Sequence, residues 1–341
     1  MGIVRNIDGK AYSDPQVFAL ERDKIFSRAW QLIGDAREVA AAGRYVATNL
    51  AGYPIFVIRG RDGVLRGFQN VCPHRGSPLV EAADGNCAEI KCPYHAARFD
   101  DRGALKTDGL WFGLPVPREL HEMHLTPISV EEWRGLLFVA LAPTISLLEQ
   151  LGDLPDQVGR TPIEKYHKTE RRQVTANANW KSYFDQYSEV WHTPQIHPVD
   201  KNVGINEYRV EAMRGLVRMT TGTPEGKQAA YYGGKWMGCW PNWTLVLLEG
   251  GMKTVRINPL CPTKFEAFHD FYFEDLAPEK QAQRKQVADA TLNIFAQDVG
   301  ICERVLANYI SGAFKEGGPM HPQHERALIE YQRRLRSALK S

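Results

Sequence analysis

Residues 72–95 read CPHRGSPLVEAADGNCAEIKCPYH, and this stretch decides the fold. It contains two short loop motifs, Cys72-Pro73-His74-Arg75-Gly76 and Cys92-Pro93-Tyr94-His95, with 17 residues between His74 and Cys92. Each follows a segment with strand character, Val64–Val71 before the first and Glu89–Lys91 before the second. A loop leaving a strand can aim two side chains at one centre. Two thiolates and two imidazoles suit a tetrahedral zinc, or a [2Fe–2S] cluster in which two histidines replace two cysteines on one iron. Zinc fingers usually keep both cysteines in one pair and both histidines in the other. Here each loop carries one of each, an arrangement that two loops closing on a binuclear cluster suit better.

Outward from this stretch the text stays β-rich. Arg44–Leu50 and Pro54–Arg59 read as short strands, Asp62-Gly63 as a tight turn into Val64–Val71, and Ala97–Asp100 and Gly135–Leu141 as further strands. Several short strands with frequent turns predict a small antiparallel β domain over residues 30–143. After Pro143 the pattern changes. A linker helix is predicted over Ile145–Val158 and a helical stretch within Val174–His192. Alternating strands follow at Tyr208–Arg218, Thr244–Leu248, Lys253–Asn258 and Glu266–Phe273, then a long helix from Pro278 to Ser311. The class is therefore α+β, with a second domain over residues 144–341 and an N-terminal arm, residues 1–29, expected to pack on it.

The 341 residues are 43% hydrophobic and 24% charged with a net charge of +2, so no broad field draws the chain to nucleic acid or an anionic membrane. Apolar stretches such as Gly135–Pro143 are about half the ~20 residues of a membrane span. The N-terminal MGIVRNIDGK lacks a signal peptide's apolar core, and Asn6 stands where myristoylation wants Ser or Thr. A cytoplasmic protein is expected. Six scattered cysteines do not make a disulfide scaffold, and in a reducing compartment cysteines near histidines more often mean metal.

A second constellation follows Asn179-Trp180-Lys181. On a helix, Asp185, Glu189 and His192 would share one face, and Pro194 redirects the chain between His192 and His197. Two ordinary histidines near a helix end would read the same way. A mononuclear iron(II) that activates O2 uses two histidines and one carboxylate, leaving positions open. In the long helix Asp298 sits in a stripe with Ile294, Ile301, Cys302 and Val305. A carboxylate there must be paired, protonated or metal-bound, which makes Asp298 the candidate third ligand and a salt bridge to a buried arginine its alternative.

The pattern C-P-H-R-G then C-P-Y-H, followed by Phe99-Asp100 and Gly103, resembles the Rieske domain of the Rieske non-haem iron oxygenases. The run N-W-K, a tyrosine, an acidic residue and H-x4-H resembles their catalytic domain, so the likeness covers nearly the whole chain. The resemblance implies a helix-grip-type catalytic domain with an antiparallel sheet and a long C-terminal helix. It implies a [2Fe–2S] Rieske cluster on Cys72, His74, Cys92 and His95, and a mononuclear Fe(II) on His192, His197 and Asp298, with O2 as co-substrate. It also implies a homotrimer in which Glu189 links His192 to the partner subunit's His95. Ala96-Ala97 departs from the family's usual Gly-Trp or Ala-Trp, and Gln186-Tyr187 from its Asn-Tyr. Glu189, where Asp is common, is similar to the carnitine, choline and glycine-betaine branch, as is the segment Trp236 to Trp243.

Oxygen activation needs electrons one at a time, which a cluster beside an open iron supplies. No G-x-G-x-x-G follows a strand, so NAD(P)H oxidation falls to a separate flavin or iron–sulfur reductase, with or without a ferredoxin. The expected function is a terminal oxygenase of EC 1.14 type that monooxygenates a small substrate, leaning to hydroxylation or N-demethylation of an N-methyl or quaternary ammonium compound. Hydroxylation, dihydroxylation or O-demethylation of an aromatic acid is the alternative within the class. A Rieske electron carrier without oxygenase activity and a zinc-stabilised binding module are the alternatives outside it. Tyr231, Tyr232, Trp236, Trp240 and Trp243 would offer cation–π faces to an ammonium or simply fill the core. Arg214, Arg218 and Arg256 would meet a carboxylate or face solvent.

Overall fold

The structure is a computed structural model that describes residues 3–197, 207–221 and 234–340. It divides into two units, Phe26–Thr144 and Met1–Ile25 with Ile145–Ser341.

The first unit is built on an antiparallel sheet. Its strands are β1 (Gln31–Asp35), β2 (Arg44–Leu50), β3 (Tyr53–Arg59), β4 (Leu65–Gln69) and β5 (Asp84–Asn86), with β10 (Pro127–Trp133) and β11 (Leu136–Ala140) joining later. Their order is β1-β11-β10-β4-β3-β2-β5. Ala51-Gly52 joins β2 to β3 with both residues at positive φ, the tight hairpin whose twist suits paired strands, and it sets the register Leu50↔Tyr53. Two small ribbons complete the unit, β6 (Ile90–Lys91) with β7 (Arg98–Phe99) and β8 (Leu110–Trp111) with β9 (Leu114–Pro115). The Cys72 loop leaves β4 and the Cys92 loop joins β6 to β7. Both cysteines are buried in a core with Phe56, Phe68, Phe99 and Trp111. Strand β10 escapes the sequence reading because Glu131 and Glu132 interrupt its apolar alternation.

The second unit opens with α1 (Pro15–Glu21), capped by Asp14, whose side chain accepts the Gln16 amide. The predicted linker helix is two, α2 (Leu147–Leu151) and α3 (Leu154–Val158), parted where Gly152 takes φ +60. Seven antiparallel strands follow in the order β12-β18-β17-β16-β15-β14-β13. They are β12 (His167–Ala176), β13 (Arg209–Met213), β14 (Leu216–Thr220), β15 (Lys235–Cys239), β16 (Trp243–Leu248), β17 (Gly251–Cys261) and β18 (Lys264–Phe273). The helices are α4 (Trp180–Tyr187), the one-turn α5 (Thr193–Ile196), the 30-residue α6 (Gln281–Ile310) and α7 (Arg326–Lys340). A single large antiparallel sheet with a long helix is the α+β architecture expected.

The helical stretch expected within Val174–His192 is α4, and Val174–Ala176 before it end strand β12, whose polar HKTERRQ hides an edge strand. Two expectations change. Tyr208–Arg218 is a hairpin turned at Arg214-Gly215, where Gly215 has φ +85. Helix α4 stops at Tyr187 with Ser188 as its cap, so Asp185, Glu189 and His192 do not share a helical face. Asp185 instead turns inward and accepts from Tyr12 Oη and Gln332 Nε2. Burial lifts its carboxyl to about 6, although both donors pull it down.

The segment before α1 packs within this unit. Asn6 N donates to Gly318 O at 2.9 Å, and Asn179 Nδ2 donates to Tyr12 O at 2.9 Å. The Asn179-Trp180-Lys181 motif is explained by α1. Asn179 caps α4, Trp180 Nε1 donates to Glu21 Oε2 at 2.8 Å, and Lys181 Nζ pairs with Glu21 Oε1 at 2.6 Å.

Candidate redox and metal sites

The two cysteine loops fold alike. In each, the cysteine amide donates to the carbonyl five residues on (Ser77, Ala97), and the amide four residues on (Gly76, Ala96) returns to the cysteine carbonyl. Both loops close through a left-handed residue, Gly76 at φ +73 and Ala96 at φ +59. The sulfurs of Cys72 and Cys92 lie within hydrogen-bonding reach of each other, and the His74 and His95 rings meet edge-on at 4.8 Å. The thiols are thus grouped on one side and the imidazoles on the other, although each loop supplies one of each. That grouping matches a binuclear cluster with two sulfur ligands on one iron and two nitrogen ligands on the second. Tetrahedral zinc would draw all four donors within about 4 Å of one another. Among the described residues, the three donors that close to within 4.8 Å of one another are a different group.

Backbone amides line these sulfurs. Burial pushes the Cys72 thiol up, against the amides of His74 and Arg75. At Cys92 burial also pushes upward, but the amides of His95 and Tyr94, with Cys72 and Ser77, bring the thiol down. Such donors favour thiolate and tune a cluster's potential. Trp111 Nε1 donates to His95 O at 3.0 Å, and its ring meets His74 edge-on at 5.1 Å. An indole therefore packs on the two histidines even though Ala97 stands where the family usually has one. A left-handed alanine costs about 1–2 kcal/mol. Ala96→Gly is accordingly expected to stabilise the first unit by roughly 0.5–1 kcal/mol once glycine's extra unfolded-state entropy is discounted, and Gly76→Ala to destabilise it by a similar amount. Thermal unfolding followed at the cluster's absorbance checks both.

The second site forms where α4 ends. His192 and His197 flank α5, and its single turn, with Pro194 in its first positions, brings their rings to 5.5 Å. Asp298 reaches in from α6, with Oδ1 3.1 Å from His197 Nε2 and 3.7 Å from His192 Nε2. One donor atom from each of the three lies within 4.8 Å of the others. Both Nε2 atoms face the carboxylate because both Nδ1 atoms are held from behind, His192 by Glu189 Oε1 at 2.5 Å and His197 by Gln297 Oε1 at 2.8 Å. An acceptor behind each ring places the proton on Nδ1 and leaves Nε2 free to ligate, the usual outer support of a metal histidine. Ordinary helix-end histidines and a carboxylate paired with arginine are both set aside by this convergence. Sequence reasoning missed Gln297, although it adjoins Asp298. Gln297→Ala should cost 10–100-fold in iron affinity, read as iron retained per chain after graded chelation.

The described residues line a cavity of about 150 Å³ that opens on His192, His197 and Asp298. Its floor is one face of the sheet. Met219, Trp236, Val246 and Lys253 stand directly opposite one another across β14, β15, β16 and β17, and His269 lies on β18 opposite Val255. Its roof is one face of α6, where Thr291, Ile294, Phe295 and Asp298 recur at helical spacing. Gly238 keeps this shape, because a Cβ there would sit 2.8 Å from the Tyr187 ring, which lines the cavity.

Of the aromatics considered from sequence, Trp236 lines the cavity, Trp243 is core, and Trp240 faces Tyr331. Tyr231 and Tyr232 lie outside the described residues. The three arginines do not line the cavity. Arg214 pairs with Asp153, Arg218 with Glu211, and Arg256 covers the Phe268 ring at 4.3 Å. Among the described residues the lysine that lines it is Lys253, which the sequence reading passed over.

No helix among the described residues is long and apolar enough to cross a membrane. Known protein families match a part of each unit. The Rieske [2Fe-2S] domain family matches residues 29–109, and the ring hydroxylating alpha subunit (catalytic domain) family matches residues 200–341. The carnitine monooxygenase oxygenase subunit of Escherichia coli (strain K12) is 30% identical over 302 residues, covering 81% of this chain and 77% of that protein. The glycine betaine monooxygenase oxygenase subunit of Chromohalobacter salexigens is 34% identical over 188 residues, 55% of this chain, and the match spans only 42% of that protein's length. The crystal structure of the quaternary ammonium Rieske monooxygenase CntA with an inhibitor superposes with a TM-score of 0.87 at 23% identity, covering 98% of this chain and 96% of that one. The two family matches and a relative 30% identical over 81% of this chain and 77% of its own length place the chain among the Rieske non-haem iron oxygenases, as an oxygenase subunit.

Proposed function

We propose that the chain is the terminal oxygenase of a multicomponent monooxygenase acting on a small N-methyl or quaternary ammonium compound. The observation that carries this reading is the convergence of His192, His197 and Asp298 within 4.8 Å at the mouth of a cavity floored by Trp236. Cys72, Cys92, His74 and His95 hold the [2Fe–2S] cluster, and His192, His197 and Asp298 hold the iron. When bound, the cluster supplies single electrons and the iron activates O2 for insertion into a C–H bond.

The chain's own residues do the positioning. Glu189 and Gln297 fix the two imidazoles with Nε2 forward. Tyr187, Trp236 and Phe295 present aromatic faces, each worth on the order of 1–2 kcal/mol to a desolvated ammonium. The apolar walls limit water around the reacting carbon. Electrons arrive from a separate reductase, with or without a ferredoxin. In a homotrimer Glu189 would join His192 to the partner subunit's His95. All six cysteines are free, which suits a cytoplasmic setting. A pure electron carrier would leave the three-donor site and its cavity without use. Conversion of an aromatic acid is the second reading, favoured by the Lys253 ammonium in the cavity.

The test is single-turnover. Protein reduced without oxygen is mixed with O2 and, in turn, L-carnitine, glycine betaine, choline and benzoate, with cluster re-oxidation followed by absorbance and product assayed. Acceleration with product from one of the ammonium compounds supports the proposal. Product from benzoate alone moves the assignment to the second reading. Re-oxidation that none of the four accelerates, without product, overturns the substrate assignment.

A further inference from the structure

We propose that Lys253, with the His269 ring beside it, is the receptor for a carboxylate on the substrate. The proposal rests on the reading of His192, His197 and Asp298 as the reacting centre. Lys253 closes the cross-strand row of Met219, Trp236 and Val246, so an ammonium stands where the sheet face is otherwise apolar. Among the described residues no carboxylate pairs with it, and its polar partner is Thr291 Oγ1 at 3.4 Å. Burial pushes its ammonium down to about 8, while the Asp298 carboxylate pulls it up, so it is still largely protonated near neutral pH.

His269 makes the same point independently. Its ring is 1% exposed and lines the cavity, and among the described residues neither nitrogen has a hydrogen-bond partner. Burial, reinforced by the Lys253 cation, holds it neutral with a pKa of about 3. Phe295 meets it edge-on at 4.6 Å and fixes the ring. Among the described residues, a buried imidazole N–H with no acceptor beside an ammonium with no directly paired carboxylate makes a two-donor site for an anion.

Position supplies the rest. Thr291, which touches Lys253, precedes Asp298 on α6 by seven residues, two helical turns or about 10 Å along the axis. A ligand anchored on Lys253 would therefore extend along Trp236 and Phe295 with its far end at the metal donors. This geometry selects a zwitterion or an acid over a bare cation, which would meet the lysine's own charge.

The experiment uses the full chain loaded with cluster and iron. L-Carnitine, glycine betaine and benzoate are each titrated against their primary amides by calorimetry. At least one acid should bind about 30-fold more tightly than its amide, because removing one member of a desolvated charge pair carries a penalty of that size. Lys253→Met keeps the length of the stem, and His269→Phe keeps the packing on Phe295. The first should abolish the acid's advantage and the second reduce it several-fold, with iron content and cluster absorbance unchanged. An acid preference below threefold for all three pairs in the unaltered protein, or one that survives Lys253→Met, overturns the proposal. Failure of the iron-site reading would show separately, as protein that binds no mononuclear iron whether or not it prefers acids.

Discussion

Asp298→Ala is expected to abolish product formation while leaving the Rieske chromophore intact. The carboxylate supplies the negative donor that faces both Nε2 atoms, and without it two neutral imidazoles remain. Loss of an outer partner of a metal ligand already costs 10–100-fold, so loss of the ligand itself should exceed a hundredfold in turnover and strip the iron on dialysis. Misfolding will not account for the result. Ile294 and Phe295, one turn back on α6, line the same cavity, and an alanine among such side chains removes a charge that is expensive to bury. The variant's melting temperature should therefore match or exceed that of the parent. Metal analysis, cluster absorbance and product yield on one preparation decide the matter. An Asp298→Ala protein that retains iron and turns over would remove Asp298 from the site.

The candidate residues legible in the sequence are those whose chemistry forces a short spacing. Cys72 and His74, or Cys92 and His95, must leave one loop together, so type and interval alone expose them. The three-donor centre was legible for a weaker reason, because Asp298 needed the uninterrupted helical period of α6 to show that it lies on an apolar face. Lys253 was illegible because β17 is covered on both sides, which erases the alternation that separates inside from outside. Lys253 and Arg256 differ by an odd number of positions and so point to opposite faces. Only the pairing of Lys253 with Val246, and of Val246 with Trp236, shows which of the two looks into the cavity. The false helical face of Asp185, Glu189 and His192 has a similar origin. Neither glycine nor proline marks the end of α4, which stops at Ser188, and the periodic pattern runs on past the helix that it describes.

Glu21→Ala should destabilise the second unit by about 3–5 kcal/mol, the range for breaking a buried ion pair from one side. The Glu21 and Lys181 side chains are 1% and 2% exposed, and the glutamate also accepts from Trp180 Nε1. Deleting it leaves an ammonium in the core with the Tyr12 and Trp180 rings at 5.2 and 5.4 Å and the more distant pull of the Asp185 carboxyl. Two aromatic faces offset only part of that penalty. Because Lys181 belongs to the first turn of α4, and α4 runs directly into Glu189 and His192, the damage should reach the metal donors as weaker iron retention. Glu21→Gln keeps one oxygen, for the indole or the ammonium but not for both in place, so it should lose less than Glu21→Ala. The double variant Glu21→Leu with Lys181→Met removes both charges and should recover most of the stability, since apolar replacement of a buried pair is often neutral or better. Denaturant midpoints of the four proteins separate a charge effect from a packing effect. If the double variant is no more stable than Glu21→Ala, the contribution is the shape of the side chains and not their charge.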